Sequence, residues 1–256
     1  MKFTLLFLML LAIPVFGAET PEQKFASLKK AAGQGDVQAI TALGISYQVG
    51  IGVQKNSVKA FENFSKASEL GSTTASIYLA SYYANGIGVK RDMKKAVALM
   101  EIAATAGMSD AQSALGILYV SGNGVPMDIN IGRVWLQKSA NQNDPEGLYY
   151  YAELEEKSGN ISHKEAVKLF TESAYLGFVP SQIALSKKYF FGEGVPKDYA
   201  YSYAWANIAA GGDDPKGKAV INMFEGKVLS AQQVEEGQRL AREITQRIPI
   251  AKNRPD

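Results

Sequence analysis

Four stretches of this chain repeat one pattern of residues, and a fifth stretch repeats it in degraded form. In the clear copies a tyrosine is followed by two glycines and a valine. The tyrosines of the first three copies, Tyr47, Tyr83 and Tyr119, are spaced 36 residues apart, and Tyr189 is the tyrosine of a later copy. A repeat of about 20 to 50 residues is typical of a solenoid, in which each unit buries its apolar face only against its neighbours. The spacing therefore predicts a one-dimensional array of similar units.

The degraded copy lies fourth in the array. Glu155 stands where the other copies have tyrosine, the pair of glycines is missing, and two residues are deleted. A shortened loop at this point predicts either a kink in the array or a distinct local surface.

Each unit is predicted to fold as a helix, a glycine loop and a second helix, here called helix A and helix B. In the second copy, helix A is expected from about Thr74 to Asn85, since its apolar residues have helical spacing. Gly86 is expected to end it in a left-handed conformation, because glycine adopts that conformation without a steric penalty. Helix B should then begin at an acidic or amide cap, the residues in question being Asn56, Asp92, Asp128 and Asp198.

The flanking segments extend the same scheme to about thirteen helices. A lone helix is expected over residues 25–32, and Asp213 opens a further helix that ends near Gly226. Ser230 and Gln233 form a capping box at the start of the last helix. We divide the chain into a signal peptide (1–17), an N-terminal capping helix (18–35), five repeats (36–212), C-terminal capping helices (213–250) and a tail (251–256).

The N-terminal segment is typical of a secretory signal. Lys2 precedes an apolar run from Leu5 to Ile13, and a small-residue cleavage site follows at Gly17. A membrane anchor is the alternative, but Pro14 interrupts a run that is already short for a bilayer. The chain has no cysteine, which excludes disulfides and the acylated cysteine of a lipoprotein. These features predict a periplasmic or secreted protein without stable membrane insertion.

Composition excludes several classes of function. A net charge of +2 argues against nucleic-acid binding, which usually needs a strongly basic face. The single histidine, His163, lies within the capping box Ser162-x-x-Glu165 and is expected to be solvated. With one histidine and no cysteine, we predict no metal site, no cofactor and no nucleophilic triad. A pair of carboxylates acting as a hydrolase remains an alternative, since any two acids could meet in a groove.

The motif A-x-x-x-L-G-x-x-Y-x-x-G-x-G-V, followed by a capping aspartate and a glycine-terminated second helix, resembles the Sel-one-like repeat, a relative of the tetratricopeptide repeat. This resemblance implies an all-α fold, a right-handed superhelical solenoid of helix-turn-helix repeats. It also implies a non-enzymatic adaptor that binds another protein or peptide in a concave groove lined by the A helices. Some members of the family act on cell-wall precursors or β-lactams, so a hydrolase is the second alternative.

Groove residues are expected at helix A positions that vary between copies and share one helical face. The candidates for partner binding are Ile45, Ile117, Tyr149, Glu153, Glu156, Lys187, Phe190 and Phe191. The two phenylalanines either contact a partner, as exposed aromatic residues often do, or pack against the next helix. For the two glutamates a solvated surface is the favoured interpretation. The predicted function is an immunity protein that neutralises a secreted toxin or, alternatively, an adaptor for envelope assembly or host interaction.

Overall fold

The structure, a computed structural model, describes residues 19–211 and 229–248, together with the isolated residues 215, 217, 219 and 221. The described residues contain helices and no strand. The predicted signal peptide at 1–17, the tail at 251–256 and most of the helix predicted from Asp213 to Gly226 lie outside them. No helix in the described ranges is long and apolar enough to cross a bilayer.

In the ranges 19–211 and 229–248, twelve helices follow one another as a stack of antiparallel pairs. In chain order they are α1 (Pro21–Gly33), α2 (Val37–Val49), α3 (Ser57–Glu69), α4 (Thr73–Asn85), α5 (Met93–Thr105), α6 (Ser109–Ser121), α7 (Ile129–Ala140), α8 (Pro145–Lys157), α9 (His163–Tyr175), α10 (Val179–Phe191), α11 (Tyr199–Ala210) and α12 (Ala231–Thr245). Even-numbered α2 to α10 are the A helices, and odd-numbered α3 to α11 are the B helices. This is the α-solenoid that the sequence predicts.

The helix ends follow the predicted local chemistry. Gly86 has φ 68° and ψ 34°, and its amide donates to the carbonyl of Tyr82, so it ends α4 in the left-handed region. The side chain of Asp92 accepts a hydrogen bond from the amide of Lys95 and caps α5. Asn56, Asp128 and Asp198 cap α3, α7 and α11 in the same way. The capping boxes at Ser162 and Ser230 are both formed.

Successive units are joined by contacts that recur along the stack. The tyrosine of each regular A helix faces the B helix before it: the Phe25 and Tyr47 rings lie 5.4 Å apart, and those of Phe61 and Tyr83 lie 5.5 Å apart. The second glycine of each loop packs against the start of the same helix. A Cβ at Gly194 would lie 2.4 Å from the backbone of His163, so the loop can approach α9 only with glycine there.

The fourth repeat keeps its place in the stack by different means. Helix α8 contacts α6, α7 and α9, so the array continues through it. Glu155, in the tyrosine position, is buried, and its carboxylate accepts from Arg133 Nε at 2.5 Å and from Asn160 Nδ2 at 3.0 Å. The short connection from α8 to α9 contains Gly159, and a Cβ added to this residue would have no atom within 4 Å. The loop that would cover the start of α7 is therefore missing, which leaves a distinct local surface there.

The two sides of the stack differ. Helices α6 and α8, which are A helices of consecutive units, contact each other directly, and among the described residues no pair of B helices does so to the same extent. A stack whose A helices lie closer together curves toward them, as in related helical repeats. The A helices therefore line the inner, concave side, and the B helices form the outer, convex side.

Candidate functional site

Two adjoining cavities open on the inner side of repeats three to five. The first, between α8 and α10, has a volume of about 220 Å³. It is lined by Tyr149, Glu153, Glu156, Lys157, Phe170, Pro180, Ile183, Ala184, Lys187, Lys188 and Glu193. Its floor is aromatic and aliphatic, while its rim carries both signs of charge.

The second cavity lies between α6 and α8 and also has a volume of about 220 Å³. Its lining consists of Ile117, Val120, Ser121, Leu136, Tyr150, Glu153, Leu154 and Lys157. Glu153 and Lys157 belong to both cavities, and Lys157 Nζ donates to Glu153 Oε1 at 2.9 Å across their shared wall. The two cavities thus form one groove, which we call the inner groove.

Five of the eight candidate residues line the inner groove. Tyr149, Glu153, Glu156 and Lys187 lie in the first cavity, and Ile117 lies in the second with Glu153. Lys187 is exposed at the rim, whereas Ile117 is half-buried. These residues come together because α6, α8 and α10 are successive A helices, which the repeat register brings side by side.

The other three candidates lie elsewhere. Ile45 is half-buried in the first repeat and packs against the core there, away from both cavities. Phe190 is half-buried against the cluster of Tyr203 and Ala206 near the end of the array, with its ring 5.3 Å from that of Tyr199. Phe191 is 62% exposed and makes an edge contact with Phe190 at 4.9 Å. Of the two sequence interpretations, packing describes Phe190, while Phe191 remains an exposed aromatic residue.

Tyr149 forms part of the groove floor. Its ring lies 5.6 Å from Phe170 and 5.5 Å from Phe178, in an aromatic cluster that fixes its position. Burial, with a smaller contribution from the negative charge of Glu153, raises the pKa of the Tyr149 hydroxyl to about 12. The hydroxyl is therefore neutral in ordinary buffers and can donate a hydrogen bond to a bound chain.

Glu156 corrects one expectation. It does not lie on a solvated face: its side chain is 13% exposed, and its carboxylate accepts from Lys188 Nζ at 2.6 Å and pairs with His163 Nδ1 at 2.5 Å. Burial raises the pKa of this carboxyl, but the hydrogen bonds from Lys188 and His163 outweigh it, so the pKa lies below its ordinary value. Glu156 is therefore ionised at neutral pH, and its charge is neutralised by Lys188 of α10.

Lys188 is a groove residue that the sequence analysis missed. It is 8% exposed and also donates to Glu193 Oε2 at 3.0 Å, so it bridges two acids. Its equivalents in the first three repeats are Ser46, Tyr82 and Leu118, none of which is charged. A lysine at an inward position of the repeat was the signal that could have identified it.

The surroundings of Glu156 do not suit a proton-donating catalytic acid. A glycoside hydrolase needs one carboxyl whose pKa is raised so that it can donate a proton. Glu156 has the opposite shift, since hydrogen bonds with Lys188 and His163 lower its pKa. His163 is largely exposed at the rim and lies at the first position of α9, as the capping box predicts. Within the described residues, no cluster of three or more histidine and acidic residues could hold a metal ion.

Comparison with known proteins supports the repeat assignment. The model of the Sel1 repeat family matches five consecutive segments, namely 37–72, 74–108, 109–144, 145–178 and 179–214. The fourth segment includes the degraded copy, so that unit is a true member of the array. Comparison with curated proteins found no match.

Several solved structures share the fold at low sequence identity. A Sel1 repeat protein from Oxalobacter formigenes is 21% identical and has a TM-score of 0.71, with 87% of this chain and 99% of that chain covered. A protective antigen of uropathogenic Escherichia coli is 23% identical, with a TM-score of 0.52 and coverage of 90% and 65%. An immunity protein of Pseudomonas aeruginosa is 16% identical, with a TM-score of 0.54 and coverage of 82% for both chains.

These similarities establish the fold of this chain and do not identify its partner. The family model covers well over half of the sequence, in the five units that the structure shows as helix pairs. The chain therefore belongs to the Sel1 repeat family.

Proposed function

We propose that this protein is a non-enzymatic scaffold that binds a segment of another protein in the inner groove. Sel1 repeat proteins are generally non-catalytic scaffolds that bind other proteins. The observation that carries the proposal is the continuity of the groove across α6, α8 and α10, where an apolar floor is bordered by charged side chains of both signs. Such a surface suits an extended or helical segment that buries apolar residues and pairs charges at its edges.

The groove assigns different roles to its residues. Tyr149, Ile183 and Ile117 supply the apolar contact area, while Lys187 and Glu153 select charges on the partner at the rim. Phe191, which is exposed beyond the groove on the last turn of α10, extends the contact surface. Glu156 and Lys188 hold α8 and α10 together beneath this surface.

Within this general function, we favour an immunity protein of the bacterial periplasm that neutralises a secreted effector. The apolar signal-like run at the N-terminus supports an exported location. The Pseudomonas aeruginosa protein with the same fold is an immunity protein. An adaptor for envelope assembly or host interaction is the alternative, and it uses the same groove.

The groove can be tested by capture from a native periplasmic extract, followed by calorimetric titration of the captured protein. Lys187→Glu and Phe191→Ala change exposed side chains, so the fold should survive, and each should weaken binding at least tenfold. The matched control is Lys66→Glu, an exposed lysine of the outer helix α3. If the partner binds all three variants as tightly as the wild type, the inner groove is not its site.

Further measurements separate the alternatives. Co-expression that rescues cells from the toxicity of the captured protein identifies an immunity role, whereas a non-toxic captured envelope component identifies an adaptor. Turnover of labelled muropeptides or of a chromogenic β-lactam by the purified protein would instead identify a hydrolase and contradict the scaffold proposal.

A further inference from the structure

The outer side of the third repeat carries an apolar patch that a solvated helix face would not have. We define the α7 patch as Met127, Ile129, Ile131 and Val134, which are 66%, 43%, 41% and 49% exposed. The half-buried Trp135 lies beside them, and it forms with Ile131 and Val134 a shallow, open cavity of about 320 Å³. Ile131 and Val134 share one face of α7, and exposed apolar side chains grouped on one face usually mark an interaction surface.

The other repeats show that the α7 patch is a departure from the repeat pattern. At the position of Met127 the first, second and fifth repeats have Lys55, Arg91 and Lys197, and the fourth has Ile161. At the position of Ile131 the first, second and fourth repeats have Lys59, Lys95 and Glu165, and the fifth has Tyr201. The repeat scaffold thus accepts charges at these positions. Among the five repeats, only the third has an aliphatic residue or methionine at all four positions of the patch.

Cations lie on both sides of the α7 patch. Units of a solenoid repeat one geometry, so equivalent residues of neighbouring B helices lie side by side. The residue equivalent to Asn130 is Lys94 in helix α5 and Lys164 in helix α9, and the residue equivalent to Val134 in α9 is Lys168. All three lysines are exposed. Arg91 and Lys95 add two more cations on the α5 side. They line a cavity that also includes Gly124, which lies three residues before Met127.

The acids near these cations are mostly engaged by the protein itself. Asp92 caps α5, Glu101 accepts a hydrogen bond from the hydroxyl of Tyr119, and Glu165 closes the capping box of α9. Glu172, on the third turn of α9, is the remaining exposed acid on this side of that helix. The outer side around α7 is therefore an apolar centre with a basic border.

The position of the α7 patch also matters. Helix α7 is the B helix of the third of five units, so it lies at the middle of the convex side. A flat surface that meets a convex array touches the middle first. The inner groove, on the opposite side, would then face away from that surface.

We propose that the α7 patch and its basic border bind the surface of a bilayer that contains anionic phospholipid. Apolar side chains with a lysine border are the two components of peripheral membrane binding, in which hydrocarbon enters the interface and cations meet anionic headgroups. The patch has side chains that protrude from a convex face, and a deformable interface accepts these without a complementary cleft. The proposal does not depend on the partner of the inner groove, which membrane binding would leave accessible.

Flotation with lipid vesicles tests this proposal. The purified mature protein should float with vesicles of equimolar phosphatidylglycerol and phosphatidylcholine, and not with vesicles of phosphatidylcholine alone. Binding should weaken as salt is raised, because the headgroup attraction is screened. Ile131→Gln with Val134→Gln should reduce the bound fraction at least tenfold, and Lys94→Gln should reduce the partition coefficient about fivefold.

A control variant removes charge elsewhere. Lys30→Gln on α1 makes the same change of charge as Lys94→Gln at an exposed lysine far from α7, and it should bind like the wild type. Equal loss in both variants would mean that only net charge matters, and it would overturn the assignment of the site. Absence of flotation would also overturn the proposal. So would light scattering that shows a dimer, or a complex with an acidic protein, if Ile131→Gln abolishes that association and the protein does not bind vesicles.

Discussion

At the position of the repeat tyrosine, the junction between the third and fourth repeats has an ion pair, whereas the other described junctions have apolar and aromatic contacts there. The B-helix residue that faces the next tyrosine is Phe25, Phe61, Val97 or Val167 in the regular junctions, and Arg133 in this one. Arg133 is accompanied by Glu155 in the tyrosine position. Both partners changed together, from an apolar pair to an ion pair.

This difference shows that the repeat constrains geometry more than chemistry. A buried ion pair must overcome the cost of removing both charges from water, so it contributes less net stability than its short distance suggests. An apolar pair has no such cost and does not depend on pH. The fourth repeat is therefore the part of the array most sensitive to the loss of a single partner.

The largest effect is expected from removal of Arg133. Arg133→Val should lower the free energy of unfolding by about 3 kcal/mol, because it leaves the Glu155 carboxylate buried without its cation. The double variant Arg133→Val with Glu155→Tyr restores the pair found at Val97 and Tyr119, and it should recover most of the loss. Urea unfolding followed by circular dichroism measures both, and additive losses in the double variant would contradict the comparison.

A smaller effect is expected at the glycines of the loops. Gly194→Ala should cost about 2.5 kcal/mol, since a Cβ would meet the backbone of His163 and φ is +79°. Gly159→Ala, in the fourth repeat, has a φ of +71° but no atom within 4 Å of the new Cβ, so only the backbone strain of about 1 kcal/mol remains. The difference in thermal stability between the two variants measures the contact between the loop and the helix, separately from the backbone strain. Equal losses would show that Gly194 does not serve as a contact point.

Acid should weaken the fourth and fifth repeats next. The pKa of Glu156 is lower in the folded protein than in the unfolded chain, so its ion pair contributes fully above the ordinary carboxyl pKa. That contribution, about 1.5 kcal/mol, declines as the pH falls and is lost once the pH has passed the folded pKa. Glu156→Gln should flatten this part of the curve of stability against pH. A curve unchanged by the substitution would assign the acid sensitivity to other carboxyls.

The smallest effect is expected on the outer side. Met127→Lys places on α7 the residue that Lys55 and Lys197 supply in other repeats, and it should change the stability by less than about 0.5 kcal/mol. Differential scanning calorimetry would detect a larger change. A loss of stability well above this value would mean that the α7 patch serves the fold and not an external surface.

How far the sequence predicts the structure depends on the range of the interactions. The caps at Asn56 and Asp92, the left-handed Gly86 and the capping box at Ser162 are local features, and all are confirmed. The site was predicted less completely: the repeat register put Tyr149 and Lys187 among the groove candidates, and both line one cavity, but it did not identify Lys188, which lines the same cavity. The expectation that Glu156 is solvated was wrong, because Lys188, which pairs with its carboxylate, comes from another repeat.

By itself, the sequence determined the array, because its periodic apolar residues, caps and glycines act within one unit or between adjacent units. Tertiary structure alone decided which charges meet: Arg133 and Glu155 are 22 residues apart, and Glu156 and Lys188 are 32 residues apart. A charged side chain has no periodic signature, and its partner is chosen by the stacking of helices in space.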